Sequence, residues 1–228
     1  MRAEPAEPVD RAARRSPVLL VASLLMIGLS VLGGFVLRQD PAAPPWQGID
    51  DAWHDLVRDP FPTEHSILDT IAIALNNFEA LPGYLLFAAL LVSMLLVRCW
   101  ATAGYLVAVA TVGIGASQLL KVWVDRPRPP DGLVQQVTAA YPSGHSTLTA
   151  CFIVLVAAVL SPRARRRWWW PVGILLLAAM MASRAYLSVH WLSDTIGGAL
   201  LGLGCAILLW WAMGPSLANE RRRRIAER

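Results

Sequence analysis

The chain has 228 residues, of which 56% are hydrophobic and only 16% charged, with a mean hydropathy of +0.48 and a net charge of +4. A soluble domain spends about 25% of its residues on charge, so this composition excludes an ordinary soluble globular protein. The basic surplus does not point to nucleic acid either, because the charges punctuate long apolar runs instead of forming a patch.

Residues 1–15, rich in Pro, Glu and Arg, read as a disordered arm. Ser16 to Leu37 then carries no charge. A hydrocarbon core of ~30 Å takes about 20 helical residues to cross, so this run is long enough. Basic residues precede it, as in a signal peptide, but its apolar core is too long and lacks a small-residue cleavage site; a retained helix is expected. "RQDPAAPPWQG" follows as a Pro-rich extended linker. In "IDDAWHDLVRDPFP", Ile49, Trp53, Leu56 and Val57 recur at helical spacing opposite Asp50, Asp51, Asp55 and Arg58. That pattern predicts a short amphipathic helix lying on the outer membrane interface. Ile67 to Leu75 is a second amphipathic stretch, ended by the break "NNFEALPG".

Ala80 to Val97, Ala101 to Leu120 and Thr195 to Asn219 are also uncharged, and the shorter runs Ser146 to Pro162 and Trp168 to Ser183 are strongly apolar. The expected fold is all-α: a polytopic bundle of six transmembrane helices with short amphipathic helices on its outer face. With the N-terminus inside, the regions before 16, at Arg98, near 161–167 and after the last helix hold 14 of the 20 Lys and Arg residues. The positive-inside rule therefore places both termini in the cytoplasm. Residues 1–15 become a cytoplasmic arm, 16–214 one integral membrane domain, and 215–228 a basic cytoplasmic tail. Cys99, Cys151 and Cys205 show no CxxC or CxxH spacing and read as small buried hydrophobes.

In this topology Lys121, Arg126, Arg128, Ser143, His145, Arg184, His190 and Asp194 all lie on the outer side, at the ends of the third to sixth spans. Ionisable groups are costly there, so each asks for a reason. Lys121 is the only lysine in the chain; alone it would read as a snorkelling side chain. "YPSGHS" presents a turn and then the N–H groups of a helix start, which suit an anion, while Ser143 is equally an N-cap. His145 stands where it can donate a proton to a leaving oxygen. His190 and Asp194, spaced i, i+4, would meet on a helix, either as a structural pair or as a nucleophile with its orienting carboxylate. Three cations, N–H donors and two histidines together match the charge spread of phosphoryl transfer. Arg128 and Arg184 can grip oxygens bidentately and Lys121 as a point charge. A metal site would leave the cations unexplained, so neither metal nor cofactor is expected.

"KVWVDRPRP" fits K-x6-R-P (Lys121, Arg128, Pro129), "PSGH" spans Pro142 to His145, and "SRAYLSVHWLSD" fits S-R-x5-H-x3-D (Ser183, Arg184, His190, Asp194). Together these resemble the three-part signature of the type 2 phosphatidic acid phosphatase family, the lipid phosphatase and acid phosphatase/vanadium haloperoxidase superfamily. The resemblance implies a metal-independent phosphatase acting through a phosphohistidine. It makes His190 the nucleophile, Asp194 its orienting partner and His145 the general acid, with Lys121, Arg128, Ser143, Gly144 and Arg184 holding phosphate. The expected partners are a lipid phosphate or diphosphate and the surrounding membrane lipids. The expected location is a bacterial plasma membrane with an extracytoplasmic site, and the expected substrate is a polyprenyl diphosphate of the undecaprenyl type. Phosphatidylglycerophosphate, phosphatidate, transfer of phosphate between lipids, and an anion transporter are the alternatives.

Overall fold

The computed structural model describes residues 16–58, 67–78, 81–159 and 163–227. The expected arm at 1–15 lies outside them. The described residues form helices α1 (Pro17–Gln39), α2 (Gln47–Arg58), α3 (Ile67–Phe78), α4 (Leu81–Leu96), α5 (Trp100–Val124), α6 (Gly144–Val159), α7 (Arg163–Tyr186) and α8 (Leu192–Ala226), with no strand among them. The all-α class follows.

Three helices, α1, α5 and α8, are long and apolar enough to cross a membrane. The other expected spans are shorter in apolar length. At 16 residues each, α4 and α6 rise about 24 Å, and α7 opens on Arg163, Arg165, Arg166 and Arg167.

α8 is the central element, packed against α1, α5, α6 and α7. Tyr105 and Val109 of α5, Cys151 and Val154 of α6, and Ala206 and Leu217 of α8 form the main apolar core. All three cysteines are free and buried, as read from the sequence. Small residues decide how closely α6 and α8 approach. A Cβ at Gly198 or Gly202 would run into the Ser143 and Thr147 carbonyls of the facing segment. That contact brings the start of α6 against the start of α8.

Three boundaries and one side-chain orientation differ from the sequence reading, each for a local reason. α5 continues past Leu120 because Val122 to Val124 remain helical; it ends where Asp125 turns left-handed (φ 51°) and donates its N–H to Lys121 O at 3.0 Å. Lys121 is therefore a helical residue, not a loop one. α8 runs unbroken through Pro215 to Ala226, so residue 215 marks a change of composition and not of backbone. His190 precedes α8, so it and Asp194 do not share a helix. Finally, α2 forms as expected but turns Asp50 into the protein, 1% exposed, while Ile49 and Leu56 stay 65% exposed. Those two side chains are left outward, as suits a lipid-facing helix, while Val57 packs inward against Ala72, Tyr186, Leu187 and Val189.

Candidate active site

The ends of α5 and α7, the starts of α6 and α8, and the loop 125–143 meet at one end of the bundle. Lys121, one turn from the end of α5, sends Nζ to Ala139 O at 2.6 Å and Ala140 O at 3.5 Å. Arg128 grips the same strip of loop. Its Nε donates to Thr138 O at 2.8 Å and its Nη2 to Ala139 O at 3.3 Å, while Nη1 donates to Val189 O. That Nη1 also lies 3.3 Å from His190 Nε2.

Ser143 both starts α6 and ties it to α8. Its backbone N–H donates to Asp194 O at 3.0 Å, and its Oγ accepts from Ser146 N at 3.4 Å, the geometry of an N-cap. The N-cap reading of Ser143 is thus realised. The positive end of α6, at Gly144 and His145, lies at the site. His145 Nε2 stands 3.2 Å from Asn76 O of α3.

Arg184, at the end of α7, is fully buried. It donates from Nη1 to Asn76 Oδ1 at 2.8 Å, from Nη2 to Ala72 O at 3.4 Å and from Nε to Ser183 Oγ at 3.3 Å. After α7 the chain turns through Ser188, which has φ 51°, and delivers His190 to the site, 5% exposed. His190 Nδ1 lies 3.5 Å from Asp194 Oδ2, which itself accepts the Trp191 N–H at 2.9 Å. The pair meets because a turn and a helix cap place it so. Burial first, then the Arg128 charge, pull His190 down to about 3, against the opposing pull of Asp194. At neutral pH its imidazole is therefore uncharged, with a lone pair to give. Burial likewise lowers Arg128.

The site residues expected from the sequence fall in two sets of contacts, which Ser143, Gly144 and His145 join along the start of α6. Lys121 and Arg128 share Ala139 O, Arg128 reaches His190, His190 faces Asp194, Asp194 bonds Ser143, and His145 and Arg184 share Asn76. Among the described residues no cluster of three His, Cys, Asp or Glu is placed to hold a metal ion. Three residues at the site carried no sequence assignment: Asn76, Asp50 and Arg126. Asn76 is part of a break between apolar runs, and Asp50 reads as the wet face of a helix. Arg126 was legible only as a second cation two residues before Arg128.

The arrangement supplies cations, helix N–H groups and two imidazoles, the kinds of group that stabilise a tetrahedral anion. Comparison with known proteins gives the same direction. The PAP2 superfamily model matches residues 101–217, which is just over half the chain and contains all three motifs. Phosphatidylglycerophosphatase B of Bacillus subtilis (strain 168) is 33% identical over 93 residues, covering 38% of this chain and 46% of that protein. The match thus spans about half the length of that curated relative. Among solved structures, a transmembrane PAP2-type phosphatidylglycerolphosphate phosphatase from Bacillus subtilis superimposes with a TM-score of 0.66 at 21% identity, over 85% of this chain and 96% of that one. LpxE of Aquifex aeolicus superimposes with a TM-score of 0.56 at 20% identity, over 68% and 91% respectively. These two likenesses establish a shared fold, and that fold is one of integral membrane proteins. Given the matched span and the motifs inside it, the chain belongs to the PAP2 superfamily.

Proposed function

We propose that the protein is a membrane-embedded, metal-independent lipid phosphatase that works through a phosphohistidine on His190. The observation that carries this reading is that Arg128 reaches the uncharged imidazole of His190, with the Lys121 charge also bearing on it, while Arg184, Arg128 and Lys121 all bear on His145 at the α6 start. Nε2 of His190 attacks phosphorus, and the bond from phosphorus to the leaving oxygen breaks. His145, protonated when the phosphate dianion is bound, delivers that proton to the leaving oxygen. Asp194 faces Nδ1 and stabilises the positive charge that the ring acquires. Water then attacks phosphorus, His145 takes a proton from it, and His190 departs with phosphate released.

For the substrate, both the curated relative and the solved structure from Bacillus subtilis carry phosphatidylglycerophosphate in their names. We therefore take phosphatidylglycerophosphate as the lipid, in place of the polyprenyl diphosphate expected from sequence. The asymmetric placement of the basic residues supports an extracytoplasmic site in a bacterial plasma membrane. The test is phosphate release by the purified protein from phosphatidylglycerophosphate, phosphatidate and undecaprenyl diphosphate, with EDTA present. Fastest release from phosphatidylglycerophosphate is expected. Fastest release from the diphosphate would return the substrate to the earlier expectation. Loss of all activity on chelation, restored by Mg²⁺ or Zn²⁺, would overturn the mechanism.

A further inference from the structure

Arg126 occupies no position of the three-part motif, yet it is one of the most buried side chains of the protein, 1% exposed. Its Nη1 donates to Asp194 Oδ1 at 2.7 Å and to Ser193 Oγ at 2.8 Å. Its Nη2 donates to Asp50 Oδ2 and Gln47 Oε1, both at 2.8 Å. Asp50 in turn accepts the Ser193 N–H at 2.8 Å on Oδ1 and the Ser193 hydroxyl at 2.6 Å on Oδ2. The guanidinium carbon lies 5.5 Å from the centre of the Trp191 ring. Both carboxylates are buried, at 1% and 0% exposure.

Stability alone is a poor reason for such a cluster. Desolvating three charges costs about what their attraction returns, and apolar packing of the same volume often serves better. Geometry offers another reason. Asp194 has two oxygens with separate duties: Oδ1 is taken by Arg126, while Oδ2 faces His190 Nδ1. Fixing one oxygen with a rigid, bidentate-capable donor fixes the plane of the carboxylate and hence the aim of the other. A guanidinium by itself would also cancel the charge of Asp194. Asp50 restores a net single negative charge to the group.

We propose that Arg126, anchored by Asp50 of α2, is a positioning residue for the His190–Asp194 pair, and that α2 is thereby part of the catalytic apparatus. This rests on the phosphohistidine reading above. Arg126 touches no reacting atom; it sets the carboxylate that steadies the imidazole while His190 carries phosphorus. Asp50 keeps the arrangement negative, so the positive ring is not left facing a neutralised partner.

The experiment is a double-mutant cycle on the full-length protein, read on p-nitrophenyl phosphate so that it does not depend on the choice of lipid. Arg126→Gln, Arg126→Lys and Asp50→Asn are each made alone and together with Asp194→Asn, and melting temperature is recorded for all. Residues that act through Asp194 are non-additive with its removal. Arg126→Gln and Asp50→Asn should each lower kcat by roughly 10- to 100-fold with KM little changed, and by under about threefold once Asp194 is Asn. Arg126→Lys should recover part of the loss. Should Arg126→Gln not fold, the near-isosteric Asp50→Asn, on a separate helix, decides alone. Equal losses in both backgrounds, or a lowered melting temperature with unchanged kcat, would overturn the positioning role and leave the phosphatase standing. A wild-type protein inactive on every phosphate ester would remove the phosphatase reading and this inference with it.

Discussion

Two short helices, α2 and α3, close on the same site, and they do so with opposite chemistry. α2 reaches it with charge: Asp50 is sealed from solvent and held by Arg126 and Ser193. α3 reaches it with neutral acceptors. Asn76 Oδ1 and Ala72 O lie on Arg184, and Asn76 O lies on His145. The α2 contact is a buried ion pair, whose breaking would strand a charge and cost several kcal/mol. The α3 contacts are bonds from the expected phosphate holder Arg184 and the expected general acid His145 to amide oxygens. A phosphate dianion makes stronger, charge-assisted bonds to the same donors. Breaking the α2 contact strands a charge, whereas the donors that α3 occupies would gain by exchanging its oxygens for those of a phosphate. Asn76 holds Arg184 and His145, two groups that the proposed reading gives to the substrate.

The largest effect should come from the expected nucleophile, His190. His190→Ala removes the attacking nitrogen and should abolish turnover of every substrate, and no acid-labile phosphoprotein should be trapped from radiolabelled substrate. Normal labelling of that variant, or loss of label only in His145→Ala, would reverse the two roles.

On the α3 side, His145→Ala removes a proton donor, worth typically ~10²–10⁴-fold in rate. The loss should shrink for p-nitrophenyl phosphate, whose leaving group needs little protonation. A loss independent of the leaving group would take the general-acid role away from His145.

The contrast between α2 and α3 is sharpest in Asn76→Ala. On the reading that Asn76 competes with substrate for Arg184, its removal should move KM by less than about tenfold and leave kcat near the wild-type value. Asp50→Asn should do the reverse. If Asn76→Ala costs kcat as much as Asp50→Asn does, the two helices have the same job and the comparison collapses.

The smallest effect concerns stability against pH. An unfolded histidine takes up a proton near 6.5, whereas folded His190 resists until about 3. In that window the unfolded chain binds more protons, so stability falls as pH drops from about 6.5 toward 3. Replacing His190 by Gln should flatten that part of the melting-temperature curve. An unchanged slope would mean that His190 is protonated normally in the folded protein.

Much of this protein was legible in its residues, for identifiable reasons. Apolar runs and their charged borders are local features, so the helices could be read from them. Lys121, Arg128, Ser143, Gly144, His145, Arg184, His190 and Asp194 stood out because ionisable or turn-forming residues at helix ends are rare and costly. The spacing of His190 and Asp194 was read correctly as a contact but for the wrong backbone. A turn at Ser188 and the capping of α8 by Asp194 bring them together, and helical periodicity contains neither.

Helix packing, by contrast, settles which charge faces which. Asp50 looks like the solvated side of an amphipathic helix, and in isolation that is the cheapest place for a carboxylate. It is buried because Arg126, from a distant loop, is buried opposite it. Arg126 is buried because Asp194 and Ser193 wait at the start of α8. Asn76 joins the site only because α3 docks against the end of α7. Local periodicity registers the cost of exposing or burying one residue at a time. A buried charge has a cost that depends on its partner, and partners far apart in sequence meet only when the helices pack.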